Sequence, residues 1–225
     1  MKKMLLLPLA LFMSTSAFSA DMAQPVSVVE LFTSQGCSSC PPANEFVGEL
    51  AEDGNKLVLT YGVTYWDFLG WKDTFGDPEF TKRQRSYGKA LGVPNVYTPQ
   101  IVLNGSAHSP RYSRKDVETM SLEAPMPDAK FTLSDTGLVV MGDPDASAKL
   151  VIVSFLPGEQ NVPVKRGENG GRTLELSNVV TGVTPVHWNG GVSRTKIMPE
   201  DGQAYAALFH DSDTAKIVTA AVYYP

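Results

Sequence analysis

The chain has 225 residues, of which 43% are hydrophobic and 19% charged; that is the composition of a globular protein with a buried core, and it excludes wholesale disorder. Its 19 Lys and Arg against 24 Asp and Glu, net −5, argue against nucleic acid or an anionic membrane surface as partner. Two cysteines exclude a disulfide-dense scaffold and any four-cysteine zinc or iron–sulfur site.

Lys2 and Lys3 precede an apolar run from Met4 to Met13, then small residues up to Ala20. This is the order of a secretory signal peptide, predicted over residues 1–20. Cleavage after Ser19, with Ala17 at −3, fits best. The run is shorter than the roughly 20 apolar residues that span a bilayer, and no later segment qualifies, so no membrane insertion is expected. The mature chain is expected to be exported, periplasmic or secreted, where a proximal cysteine pair is oxidised unless something reduces it.

From Val26 to about Ala124 the pattern alternates strand and helix. Val26–Thr33 and Leu57–Val63 are β-branched, apolar runs of strand length; Pro41–Glu52 and Pro78–Leu91 carry helical apolar stripes. Gln100–Leu103 is a short strand before the hairpin signal Asn104-Gly105, and Ser113 with Asp116 caps a last helix to about Leu122. After Pro125 and Pro127 the grain changes to short strands: Lys130–Leu133, Gly137–Met141, Lys149–Phe155, Thr173–Val180, Thr195–Met198, Tyr205–Phe209 and Ile217–Tyr223. Gly167 to Gly171 lacks the Lys-Ser/Thr of a phosphate loop and is read as a hairpin turn. The expected organisation is α/β over residues 21–125, then a β-rich, sandwich-like region over residues 126–225.

Cys37-Ser38-Ser39-Cys40 falls between the first strand and the first helix. Closing so short a loop stabilises by roughly 2 kcal/mol on the chain-entropy formula, against about 4.7 for a hundred-residue loop, so the pair is a poor staple. The spacing does let one thiolate attack a partner and the other resolve the mixed disulfide. Cys37 is the expected nucleophile and Cys40 the expected resolver.

With Thr98-Pro99 immediately before the strand Gln100–Leu103, the chain resembles the thioredoxin superfamily. The resemblance implies a thioredoxin-like domain over residues 21–125, a cis Pro99 facing the cysteines, and Thr98 and Pro99 docking a substrate backbone. More closely, C-S-S-C-P-P (Cys37 to Pro42), Y-W-D-x-L-G-W-x-D (Tyr65 to Asp73) and V-Y-T-P-Q (Val96 to Gln100) resemble a family of exported bacterial proteins of unknown function. Gly167-Glu168-Asn169-Gly170-Gly171 and Trp188 extend that likeness. Unlike ordinary thioredoxins, the chain has Gly36 before the first cysteine and Pro41-Pro42 after the second. Regular helix is therefore expected to start near Cys40 or Pro41, with Cys37 in the preceding loop, beyond the first turn where the helix dipole acts.

Tyr65 and Trp66 are further candidates for substrate contact, and Asp67 for proton transfer, because the end of the second strand should lie beside the cysteine loop. The alternative is an aromatic insertion covering the sheet, with Asp67 capping a turn. His108, His187 and His210 have no ligand spacing to Cys37, so no metal is assigned. The expected function is thiol–disulfide exchange with partner proteins, needing no cofactor beyond the Cys37–Cys40 disulfide. The alternatives are a non-catalytic binding protein with an inert disulfide, and a copper-delivery protein.

Overall fold

The computed structural model describes residues 24–123 and 126–224; the expected signal peptide lies outside them. No helix among the described residues is long and apolar enough to cross a membrane.

The first half runs β1 (Ser27–Thr33), α1 (Pro41–Ala51), β2 (Lys56–Gly62), α2 (Pro78–Ala90), β3 (Gln100–Leu103), β4 (Ala107–Ser109) and α3 (Arg114–Thr119). Pro41 and Pro78 occupy first-turn positions that need no N–H, Asp77 caps α2, and Ser113 with Asp116 forms a complete capping box on α3. β1 pairs in parallel with β2 and antiparallel with β3, and β4 continues antiparallel from β3.

The second half adds β5 (Ala129–Ser134), β6 (Gly137–Gly142), β7 (Lys149–Pro163), β8 (Thr173–Val186), β9 (Gly191–Arg194), β10 (Ala204–His210) and β11 (Ile217–Tyr223). Four of these extend the first half's sheet, giving one mixed eight-stranded sheet of order β11-β10-β7-β8-β2-β1-β3-β4; β5, β6 and β9 form a separate three-stranded sheet. The fold is thus mixed α/β and mostly strand. The seam is β8 against β2, where Thr60 faces Val179 in parallel register. There Thr60 Oγ1 donates to Ser177 O (2.6 Å) and Asn178 Nδ2 to Val58 O (3.1 Å).

Residues 195–198 are not a strand. Thr195 N donates to Leu138 O (3.0 Å) and Leu138 N to Ile197 O (2.8 Å), two residues apart against one. The Thr195 hydroxyl also donates to Leu138 O and accepts from Ile197 N, so regular pairing is broken here and the strand is Gly191–Arg194. The β7 strand, expected to stop at Phe155, runs on to Pro163 through a bulge where Gly158 N donates to Asn178 Oδ1.

Strand alternation sends β1 residues to both faces of the sheet. Val29 and Leu31 pack with α1 and α3, while Val28 and Phe32 pack with Phe80 and Tyr87 of α2. The three-stranded sheet covers Ile152, Ala207 and Phe209 of the large sheet, with Trp188 against Phe209. The large sheet coils until its ends meet: Ile217 N donates to Asn104 O at the β3–β4 turn (2.8 Å). Gly105 (φ 64°) permits this approach, since a Cβ there would overlap the Ala215 carbonyl.

One charged pair is buried between α2 and the sheet. Glu30, fully buried in β1, accepts from Arg83 Nε (2.8 Å) and from the Tyr87 hydroxyl. Burial pushes the Glu30 carboxyl up, but the Arg83 charge and these bonds together hold it below the ordinary value. His210 closes the cluster: Nδ1 donates to Ala215 O (2.9 Å), leaving Nε2 to accept from Arg83 Nη2 (3.4 Å). Burial first, then the Arg83 charge, lower the His210 pKa to about 4. The unfolded chain therefore takes this proton at higher pH than the folded one, and stability falls as pH drops below about 6.5. Urea melts should lose about 1.6 kcal/mol between pH 6.5 and 5 from this group; a His210→Gln variant should lack that slope.

Candidate functional site

Leaving β1, the chain turns at Ser34: Cys37 N donates to Ser34 O (3.0 Å) and Cys40 N to Cys37 O (3.2 Å). Cys40 is the N-cap of α1 and its carbonyl accepts from Ala43 N and Asn44 N (2.9 and 3.1 Å). The helix therefore starts at Pro41 and leaves Cys37 four residues before it. Cys37 and Cys40 form a disulfide with Cα atoms 5.4 Å apart. Both are 0% exposed, although Ser38 and Ser39 between them are exposed.

The Thr98–Pro99 peptide bond is cis. Thr98 Oγ1 accepts from Trp66 Nε1 (2.7 Å), so Trp66 braces this corner. Gln84 of α2 supports it from below, donating to Tyr97 O (2.8 Å) and Gln100 Oε1 (2.9 Å). Tyr65 is part-buried beside them, its phenol pushed up by burial. Between corner and helix lies an open cavity of about 540 Å³, lined by Ser39, Pro42, Phe46, Thr98, Pro99 and Arg111 among others. Its walls come from the cysteine loop, the start of α1 and the proline corner, and neither cysteine lines it.

Asp67, the expected proton carrier, begins a 3-10 turn (Asp67–Leu69) and accepts from Asp73 N (3.1 Å). The buried carboxylate beside the cysteine loop is Asp73, 4% exposed, which accepts from Gln35 N (2.8 Å) and Phe75 N (2.9 Å). Burial raises its pKa against those two bonds. Both aspartates lie in one loop, and no local pattern says which is covered. Trp71 Nε1 donates to Gln35 Oε1 (2.8 Å), so it too braces the cysteine loop.

The turn Gly167–Gly171, at the tip of the β7–β8 hairpin, lies over the same loop. Asn169, 0% exposed, donates from one amide nitrogen to Gln35 O (3.0 Å) and Cys37 O (2.9 Å), while its Oδ1 accepts from Arg172 Nη1 (3.0 Å). Glu168 accepts from Ser38 N (3.1 Å), and hydrogen bonding by the Ser38 side chain, then by this N–H, lowers its pKa. This contact crosses 130 residues of sequence, and nothing local at either position points to it. The structure thus gathers the C-S-S-C, Y-W-D, V-Y-T-P-Q and G-E-N-G-G segments at one place.

Trp188 does not join them; its Nε1 donates to Asp145 O (3.1 Å) under the small sheet. The histidines are dispersed, with His108 Nδ1 against the Tyr97 hydroxyl (2.7 Å), His210 in the Glu30 cluster and His187 exposed. Among the described residues no three of His, Cys, Asp and Glu are grouped as a metal would require.

Residues 28–217 match a protein family of unknown function, DUF1223. The chain belongs to that family. The chain is similar to the crystal structure of a structural-genomics target from Agrobacterium tumefaciens, at 28% identity and a TM-score of 0.68, over 89% of this chain and 94% of that one. No curated protein matches the chain.

Proposed function

We propose that this DUF1223 chain is an exported thiol–disulfide oxidoreductase on a thioredoxin-like core. The order β1-α1-β2-α2-β3-β4-α3, with sheet order β2-β1-β3-β4, supports the core. The observation that carries the function is the Cys37–Cys40 disulfide at the β1–α1 junction, on a loop that shares a cavity with the cis Thr98–Pro99 corner. The leader pattern of residues 1–20 and the disulfide both suit an oxidising compartment outside the cytosol.

In the exchange a partner thiolate attacks Cys37 Sγ and the Sγ–Sγ bond breaks. Cys40 leaves with the electron pair. As the N-cap of α1 it sits at the positive end of the helix, which stabilises a departing thiolate. A second thiolate then attacks the mixed disulfide and releases Cys37, so two partner thiols are oxidised and the pair is reduced. Thr98 and Pro99 present the partner backbone, and Pro42 and Phe46 offer an apolar wall to its side chains. Phe68, 80% exposed two residues after Trp66, adds an apolar contact outside the cavity.

Both cysteines are fully buried, so a thiol enters only after their cover opens, and we take the Gly167–Gly171 turn, whose Asn169 holds Cys37 O, as that cover. The same burial favours a second reading, a binding protein that uses the groove and keeps an inert bridge. Trapping separates the two. A Cys40→Ala variant cannot resolve a mixed disulfide, so partners should accumulate as adducts on Cys37, reversed by dithiothreitol and absent from Cys37→Ala/Cys40→Ala. A folded, exported variant that recovers none would leave the binding protein.

A further inference from the structure

The backbone donors around the cysteine pair are almost all engaged. Pro41 and Pro42 have no N–H, Ala43 and Asn44 donate to Cys40 O, and Cys40 donates to Cys37 O. The N–H immediately after Cys37, that of Ser38, is held by the Glu168 carboxylate at 3.1 Å. A cysteine thiolate ahead of a helix is stabilised by free N–H groups and by nearby positive charge. Glu168 does the reverse on both counts, occupying a donor and adding negative charge. We propose, resting on the exchange function above, that Glu168 is a positioning residue that sets the redox poise of Cys37–Cys40, disfavouring the Cys37 thiolate and holding the couple on the reducing side.

Reduction of the pair takes two electrons and two protons from two donor thiols, which leave as one disulfide. Glu168 acts on the product side, where Cys37 Sγ is released as an anion one residue before the N–H that its carboxylate occupies. Destabilising the reduced form makes the disulfide harder to reduce, and so lowers the potential. Removing the charge reverses this. Glu168 is exposed and its carboxylate is held by Ser38, through the backbone N–H and the side chain, so Glu168→Gln keeps an acceptor for that N–H and disturbs no buried packing. Glu168→Asp keeps the charge.

The test is redox equilibration of the full mature chain in glutathione buffers. For Glu168→Gln the equilibrium should move about three- to tenfold toward the reduced protein, roughly 15–30 mV upward, and Glu168→Asp should stay nearer the parent than Glu168→Gln does. In a Cys40→Ala background, thiolate absorbance should show Cys37 ionising at lower pH once Glu168 is Gln. An unchanged potential in Glu168→Gln, or equal shifts in Gln and Asp variants, would overturn the proposal, the latter by showing packing rather than charge at work. The potential is an equilibrium property of the chain, so a charge-dependent potential without trapped partners would sink the exchange function alone. Trapped partners with a charge-independent potential would sink only the role of Glu168.

Discussion

Replacing Asn169 with Ala should speed reduction of the Cys37–Cys40 disulfide by dithiothreitol roughly 10- to 100-fold. Asn169 is fully buried and its amide holds the carbonyls of Gln35 and Cys37 from across the structure. Each such bond contributes about 0.5–1.5 kcal/mol net, and losing both leaves two carbonyls short of a donor. Since both cysteines are covered, a thiol reaches them only through an opened state. When opening and reclosing are fast relative to attack, the rate follows the population of that state. Two lost bonds raise that population by about 1–3 kcal/mol, which sets the range given. Arg172→Ala, which removes only the bond to Asn169 Oδ1, should give a smaller acceleration. Stopped-flow tryptophan fluorescence with excess dithiothreitol measures both. A rate within twofold of the parent for Asn169→Ala would mean the turn does not guard the disulfide.

Arg83→Met should cost the fold about 3–5 kcal/mol, the typical result of stripping one partner from a buried ion pair. Glu30 has no route to water in β1, and without Arg83 it must either stay charged in the core or take a proton. The Tyr61 and Tyr87 rings over which the guanidinium lies, 5.8 and 5.1 Å from their centroids, lose their cation as well. For a chain of this size the melting temperature should drop by about 10 °C. Adding Glu30→Gln should recover at least half of the loss, because the amide still accepts from Tyr87 and carries no charge. Calorimetry of the two variants decides it; additive losses would show that the ion pair is not the cause.

The elements of the first half were readable because their signals are local. Proline at the helix starts, the Ser113–Asp116 box and β-branched runs act within one turn or one strand. The structure places the strands and first two helices within a residue of expectation, while α3 starts where its box predicts and ends at Thr119, three residues short of Leu122. Most strands of the second half were also readable, but their sheet was not. That β8 would lie beside β2 depends on Thr60 meeting Val179 across more than a hundred residues, and nothing near either position encodes it. The candidate site divides in the same way. The cysteines and the Thr98–Pro99 corner announce themselves by type and spacing. Gln84, Asp73, Glu168 and Asn169 are ordinary polar residues whose roles come only from burial and long-range contact. Glu168-Asn169-Gly170-Gly171 has the composition of a turn, and a turn it is, but its side chains work on a loop that arrives from elsewhere.

The reduction potential of Cys37–Cys40 tests the central claim most directly. Equilibrated with glutathione, a couple built for exchange should lie between about −120 and −270 mV, with this chain toward the reducing end. A potential below about −300 mV, in the range of structural disulfides, would contradict exchange and leave the pair as a bridge that shapes the groove.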